Sequence, residues 1–415
     1  MMTLEGRRVL FISYNGMLDP LGQTQVLPYL KQLSKRGVRF TVLSFERNSA
    51  FESEGRDKCN ALRQELIADA IDWHFLRYHQ TPTLPATIFD VANGFRYARK
   101  LVRQNRIELV HARSHIPATI ALALKKQFNV KMIFDVRGLL ADEYVDANHW
   151  RKGSTPYRLT KLIERRALSG AEGIVTLTEK IWSIIREWDG LRGRKDFVHE
   201  VIPCCADLQS FKFRQQDRDR RRAELELEDR FVIVYSGSID GWYLTEQMAD
   251  FFAAARKRRS NVHALWLTPT RHDRIQSLML ARGIPETHYT IVAAAPREVS
   301  SYLSASDAGL AFIKACFSKL ASSPTKYAEY LACGLPLIIN SGVGDSDTLM
   351  DENVGVLVDD FTEQQLASGA EKLYALSLEP DMRRRTREVA ERRFDVSTVG
   401  VQKYSRLYER VLEGI

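Results

Sequence analysis

The chain reads as an α/β protein of two doubly wound, Rossmann-like domains, and three observations predict this. Strand-like apolar bursts alternate with amphipathic stretches along the chain. The alternation pauses once, near Val201-Ile202-Pro203-Cys204-Cys205-Ala206, and restarts at Phe231. A length of 415 residues exceeds one ordinary core and suits two domains of about 200 residues each. Strand and helix in alternation imply a parallel sheet covered on both faces.

In the first half, residues 9–13 read as a buried strand, 23–36 as a helix stopped by Gly37, and 40–45 as the next strand. Residues 109–111, 131–136 and 173–177 continue the series. The link falls at 203–210, giving domains at 1–205 and 206–396. Strands then recur at 231–235, 262–267, 289–292, 308–313, 337–340 and 354–358. Residues 383–392 and 397–412 are helical, the latter with Val401, Tyr404, Leu407 and Val411 along one side. Ligands of doubly wound sheets bind outside the carboxyl ends of the strands, so a site is expected between the halves.

Composition narrows the class. Hydrophobic residues make up 45% and charged residues 27%, as in a soluble globular protein. No stretch approaches the roughly 18–20 apolar residues that cross a bilayer. Met1-Met2-Thr3-Leu4 runs straight into a strand-like segment, which is not the pattern of a signal peptide. Five cysteines without a C-x-x-C pair suggest reduced thiols and a cytoplasmic location. The net charge of +8 leaves nucleic acid, anionic membranes and acidic substrates open. The basic run 214–230, however, alternates with Asp217, Asp219, Glu224 and Glu226, as a solvated helix face does rather than a nucleic-acid track.

The most telling string is Ser322-Ser323-Pro324-Thr325-Lys326-Tyr327-Ala328-Glu329-Tyr330-Leu331-Ala332-Cys333-Gly334-Leu335-Pro336-Leu337-Ile338-Ile339. It predicts a polar loop, a Pro-opened helix, a Gly stop and a buried strand. Lys326 and Glu329, three residues apart, share a helix face near its N-terminus, where free N–H groups favour an anion. A cation for phosphate and a carboxylate for sugar hydroxyls are what a nucleotide-sugar requires. An ordinary intrahelical ion pair is the alternative reading of these two residues.

This string resembles the donor-binding segment of GT-B glycosyltransferases of the retaining family-4 (group 1) type. The resemblance implies that Glu329 holds the donor ribose, that Lys326 lies near the diphosphate with Ser323, Pro324 and Thr325 beside it, and that the last helix, about 397–415, packs back on the first domain. Two departures stand out. Many members carry an Arg just after the Gly of Tyr235-Ser236-Gly237-Ser238 and a Lys about five residues on, where this chain has Ser238 and no nearby Lys. Most also carry a Glu eight positions before Glu329, where this chain has Ala321.

Other candidates follow predicted strands. The polar loop that begins at Tyr14 and includes Asp19 enters a helix near Gly22, which allows close backbone approach at a helix start and by resemblance meets the donor diphosphate and the acceptor; an ordinary turn reads equally well. There is no G-x-G-x-x-G or Walker sequence. His111 is read as ending a strand, with the next helix near Ile116; it is either a packed, bonded histidine or a residue that positions a sugar hydroxyl, and the family's strand-end His favours the second. Arg113 suits phosphate and His115 is a weaker candidate. Asp135, Arg137 and Glu143 form an Asp-x-Arg-Gly-containing group that is either an acceptor-side cluster or a structural ion pair. Pro296 would line the nucleobase pocket by its place in the fold, although a Pro at a helix start is equally simple turn chemistry. Asp345-Ser346-Asp347 reads as a helix cap rather than a metal motif, and neither metal nor cofactor is expected. Trp150-Arg151-Lys152 and the basic segment 158–166 read as solvated surface or as a contact with an anionic membrane, on its inner face.

These features predict a glycosyltransferase moving sugar from a nucleotide-diphosphate-sugar to a glycan or lipid-linked acceptor, in polysaccharide or glycolipid assembly, with retention implied by the resemblance. Two alternatives are a nucleotide-sugar epimerase of the same fold, and a catalytically silent donor-binding subunit suggested by Ala321 and Ser238.

Overall fold

The computed structural model describes residues 4–81 and 83–414, so the reading of Met1, Met2 and Thr3 and the final residue, Ile415, lie outside the described residues. The chain forms two compact units, Met1–Pro203 with Val396–Ile415, and Cys204–Asp395.

In the first unit, β1 (Arg8–Ser13), β2 (Arg39–Glu46), β3 (Ile71–Arg77), β4 (Leu109–Arg113), β5 (Lys131–Asp135), β6 (Gly173–Thr176) and β7 (Val198–Val201) form a sheet in the order β3-β2-β1-β4-β5-β6-β7. Every pairing is parallel. β1, β2, β4 and β5 are buried along nearly their whole length, as parallel strands covered by helices on both faces are. β3 and β7 are absent from the predicted series. They are the sheet's edges, and Asp72, His74, His199 and Glu200 interrupt their apolar pattern.

The predicted helix 23–36 is corrected. The structure has two helices, Pro20–Gln25 and Leu27–Ser34, broken at Val26, whose φ/ψ of −127°/−66° is not helical. Pro28 causes the break: it has no N–H to donate, and its ring clashes with the carbonyl four residues back.

In the second unit, β8 (Phe231–Ser236), β9 (Val262–Leu267), β10 (Tyr289–Val292), β11 (Ala308–Ala311), β12 (Leu337–Asn340) and β13 (Gly355–Val358) form a parallel sheet in the order β10-β9-β8-β11-β12-β13. This is the same winding, and both units are Rossmann-like. Its core packs Tyr235, Trp266, Phe251, Phe252 and Phe312.

The basic helix Gln215–Glu224 keeps a solvated face at Gln215, Gln216, Asp219, Arg220 and Glu224, and its opposite face is bound to the unit. Arg218 donates to the Ser306 carbonyl at 2.9 Å and to Asp307, while buried Arg222 donates to the Ala305 carbonyl at 2.9 Å and to the Arg230 carbonyl at 2.5 Å. These arginines bind the helix to the amino end of β11. Their five fixed donors suit carbonyl clusters.

At Val396 the chain re-enters the first unit. A π-turn, Val396–Gly400, leads into the helix Val401–Glu413, which buries Val401, Tyr404, Leu407, Tyr408 and Val411. Gly173 of β6 lets it approach closely: a Cβ there would lie 2.9 Å from Val411.

Candidate functional site

Polar groups gather at the carboxyl ends of the central strands in both units. In the second unit, β8 ends at Ser236, and Gly237 follows with φ +133°, a conformation side-chain-bearing residues rarely adopt. A Cβ on Gly237 would lie 3.2 Å from Lys326 Nζ, so the bare glycine brings this loop against the lysine. The same loop is tied to the segment after β11. Tyr243 bridges Ile313, Leu244 N donates to the Phe312 carbonyl at 3.0 Å, and Lys314 N donates to the Trp242 carbonyl at 2.8 Å. Asn340, closing β12, accepts from Ile313 N at 2.7 Å and donates to the Ile313 carbonyl at 2.9 Å. These contacts fall between β8 and β11, where the strand order reverses and such folds place their ligands.

Lys326 is the second residue of the helix Thr325–Ala332 and only 5% exposed. Its ammonium lies 3.6 Å from the centroid of the Tyr243 ring and 3.5 Å from the Tyr235 hydroxyl. Aromatic faces attract the cation but replace little of its hydration. Burial therefore pushes its pKa down to about 7, against the opposing pull of Glu329. Glu329, half-buried one turn later, is pushed up to about 7 by the same burial, with Lys326 opposing.

Pro324 stands at the N-cap of this helix, one residue before it, and no side chain caps the first turn. Ser323 Oγ accepts from Cys204 N at 3.1 Å, and the Tyr330 hydroxyl accepts from Ser236 N at 2.7 Å. Gly237 touches Lys326, Ser238 follows it in the loop, and Thr325 opens the helix that carries Lys326 and Glu329. Pro296 stands apart: it is exposed and opens the short 3-10 turn Pro296–Glu298 after β10, the sheet's edge strand. Ala321 is buried at the end of the 3-10 segment Phe317–Ala321.

The expected side-chain cap at Asp345 does not form. Asp345 is the N-cap of Ser346–Met350, but its φ/ψ of −93°/32° lies outside the extended region from which a side chain reaches the free N–H groups. Among the described residues, no group of three or more His, Cys, Asp or Glu is placed to hold a metal ion, and no helix is long and apolar enough to cross a membrane.

In the first unit, buried Glu46 organises the loop after β1. It accepts from Met17 N at 2.6 Å and from Ser44 Oγ at 2.6 Å, and burial raises its pKa. Gly22 lies in the first turn of the helix Pro20–Gln25, which the loop enters as expected; a Cβ there would meet the Gly16 carbonyl at 2.2 Å, so tight backbone packing requires the glycine. Asp19, at that helix's N-cap, pairs with Arg47 at 3.2 Å.

His111 is the middle residue of β4, not its end, and the next helix is His115–Gln127. The strand end belongs to Arg113, which donates to Asn15 Oδ1 at 3.1 Å. His111 is 1% exposed, with Nδ1 2.6 Å from the Tyr408 hydroxyl and Nε2 3.6 Å from Asp135. Nδ1 is thus bonded to the Tyr408 hydroxyl, whereas Nε2 faces the carboxylate without a hydrogen-bond partner. Asp135 also accepts from the Tyr404 hydroxyl at 3.1 Å and lies 3.9 Å from Arg137. Burial acts to raise the Asp135 pKa, but Arg137 and His111 outweigh it and hold it below the usual range; burial lowers that of His111. The adjoining cavity, lined by Gln25, Tyr29, His111, Arg113, Asp135 and Tyr404, has a volume of about 10 Å³, room for one water at most.

Arg137 holds a left-handed φ of +55°, and Glu143 sits in the helix Leu140–Asp146, its carboxylate facing Gly138. His115 bonds buried Glu164 at 3.0 Å, and Lys161 bridges Glu164 and Asp142, a knot joining three helices. Sequence reading missed Glu46, Asn340, Tyr243 and the two tyrosines of the last helix. Adjacent aromatics in a glycine-bearing loop, Trp242-Tyr243, were the available signal for one of these.

Sequence comparison matches residues 22–205 to the glycosyl transferase 4-like domain and residues 216–393 to the glycosyl transferases group 1 family. A search of curated proteins finds no match. Among solved structures, sucrose-phosphate synthase from Thermosynechococcus elongatus is similar at TM-score 0.72 and 15% identity, over 99% of this chain and 100% of that one. HepE from Anabaena, solved with UDP and glucose, is similar at TM-score 0.69 and 16% identity, over 97% and 100%. WaaG, a glycosyltransferase involved in lipopolysaccharide biosynthesis, is similar at TM-score 0.67 and 13% identity, over 98% and 100%. These likenesses show the fold, and the two matched domains span most of the sequence. The chain joins a glycosyl transferase 4-like domain to a glycosyl transferases group 1 domain and is a glycosyltransferase of the GT-B fold.

Proposed function

We propose that the protein transfers a sugar from a nucleoside-diphosphate donor to a hydroxyl of a glycan or lipid-linked acceptor, with retention at the anomeric carbon and no metal, in polysaccharide or glycolipid assembly. The carrying observation is the buried Lys326 ammonium at an uncapped helix N-terminus, with Glu329 one turn on and Gly237 against it. As the glycosidic bond breaks, negative charge grows on the departing diphosphate. A preorganised cation and helix N–H groups stabilise that charge more than they stabilise the ground state. Glu329, once ionised, accepts hydrogen bonds from the ribose hydroxyls. Ser323, Pro324, Thr325 and Ser238 shape the diphosphate end, and Pro296 borders the base. Arg113, Asp19, Arg137 and Glu143 serve the acceptor side, while Asp135 and His111 support them from within. The UDP-bound relative supports a nucleotide-sugar donor.

The protein is proposed to work in the cytoplasm, in peripheral contact with an anionic membrane. Leu159, 46% exposed among exposed Arg158, Arg165 and Arg166, supports that contact. Trp150 is a poorer anchor, because its ring packs on Tyr144 at 4.3 Å. Sedimentation with anionic and neutral vesicles checks this contact.

The test of transfer is incubation with a panel of UDP-, GDP- and ADP-sugars and glycan acceptors. Glu329→Ala is expected to abolish transfer with the fold intact; unchanged transfer removes the ribose assignment. A second reading, a donor-binding subunit without its own transferase activity, is favoured by the Ala321 methyl and Ser238. Donor binding without transfer to any acceptor would favour it, and a new sugar nucleotide formed from donor alone would indicate epimerisation.

A further inference from the structure

Residues 236–244, the loop after β8, contain no Lys or Arg and one carboxylate, Asp240, which pairs with Arg271 at 2.7 Å. A diphosphate at this loop must therefore find its cations elsewhere. Two lysines come to the loop, and each is held by one of two consecutive aromatic residues. Lys326 lies over Tyr243, and Lys319 lies over Trp242, its ammonium 3.8 Å from the ring centroid. Both are buried, Lys326 at 5% and Lys319 at 7% exposure. Burying two long ammonium side chains on neighbouring rings opposes their hydration and confines their rotamers, which a surface role would not require.

The backbone around Lys319 is also fixed. It lies in the 3-10 segment Phe317–Ala321, and its carbonyl accepts from Gly344 N at 2.9 Å. Trp242 is held in turn by the bond from Lys314 N. Lys319 is thus carried by the segment after β11 and Lys326 by the following helix, and both converge on one loop at the reversal of strand order.

We infer that Lys319 is a second diphosphate-binding cation, paired with Lys326, with the Trp242-Tyr243 step setting the spacing of the two ammonium groups. This inference rests on the donor reading given above. A diphosphate spreads its charge over two phosphoryl groups, and two separately seated ammonium groups match that distribution better than one. In transfer, the second cation stabilises the departing diphosphate at the moment its charge grows.

The test uses the full-length protein and the diphosphates of uridine, guanosine and adenosine, titrated by calorimetry. The tightest binder is then compared with its own nucleoside. In Lys319→Met, affinity for the diphosphate is expected to fall about ten- to hundredfold while affinity for the nucleoside holds, and Lys319→Arg is expected to recover most of the loss. A structural role for Lys319 would weaken both ligands together, and that result overturns the inference. Unchanged diphosphate affinity in Lys319→Met with loss in Lys326→Met also overturns it, and leaves the donor site in place. If the unaltered protein binds none of the three diphosphates, the donor reading fails and Lys319 loses its role with it.

Discussion

The two sheets share one winding, yet the polar groups at their reversal points are used in opposite ways. In the first unit, His111 and Asp135 are bonded by Tyr408 and Tyr404 of the chain's last helix, and the cavity beside them has room for one water at most. In the second, Lys326 and Lys319 rest on aromatic rings, and Glu329 is the carboxylate that offsets Lys326. The first cluster is enclosed by hydroxyls of the last helix, with His111 Nε2 and Asp135 Oδ1 left without a hydrogen-bond partner, whereas the second seats its ammonium groups on aromatic faces. Buried polar residues at equivalent places are therefore held by different chemistry, by hydroxyls in one unit and by aromatic faces in the other.

The sharpest break of this contrast is Asp135→Asn. Removing a buried carboxylate leaves Arg137 and His111 without their counter-charge, and stability should fall by about 3 kcal/mol in urea unfolding. A change within experimental error would show that the Asp135 charge does not hold the first cluster together.

Next is Lys326→Met. Transfer, read as kcat/KM, should fall about a hundredfold or more, while the urea midpoint stays level or rises because an unfavourably buried charge is gone. Large destabilisation would place Lys326 in the structural class of Asp135.

The pH profile separates the clusters further. Folded Lys326 releases its proton near pH 7, whereas the unfolded chain keeps it to about 10.5, so its contribution to stability rises between those values. Folded Glu329 holds its proton to about 7, whereas the unfolded chain loses it near 4.5, so its contribution falls over that window. The pair thus produces a stability trough near pH 7, on the order of 1–2 kcal/mol after screening around the half-buried Glu329. Lys326→Met/Glu329→Gln should remove the trough. If the double variant keeps it, the titrating groups lie elsewhere.

The smallest effect is expected for Tyr408→Phe. Losing the hydroxyl bonded to His111 Nδ1 should cost about 1 kcal/mol and leave donor binding unchanged. Altered donor affinity would link the first cluster to the site.

The fold was largely legible in the sequence because helix-flanked parallel strands must be apolar on both faces. β1, β2, β8 and β9 announce themselves in this way. β3 and β7 do not, because an edge strand needs no continuous apolar run. Lys326 and Glu329 were legible because their spacing, the following Gly334 and the strand after it are all local. The helix break at Val26 was readable from Pro28, yet the apolar period around it obscured the break.

By itself the sequence determined the winding of both units and the helix that carries Lys326 and Glu329, since apolar period, glycine and proline act over a few residues. Tertiary structure alone decided that Tyr404 and Tyr408 would close over Asp135 and His111, more than 260 positions away. It also decided that Trp242-Tyr243 would receive two lysines from later in the chain. Local pattern dictates backbone conformation and the buried face; only close packing determines which side chain meets a buried charge.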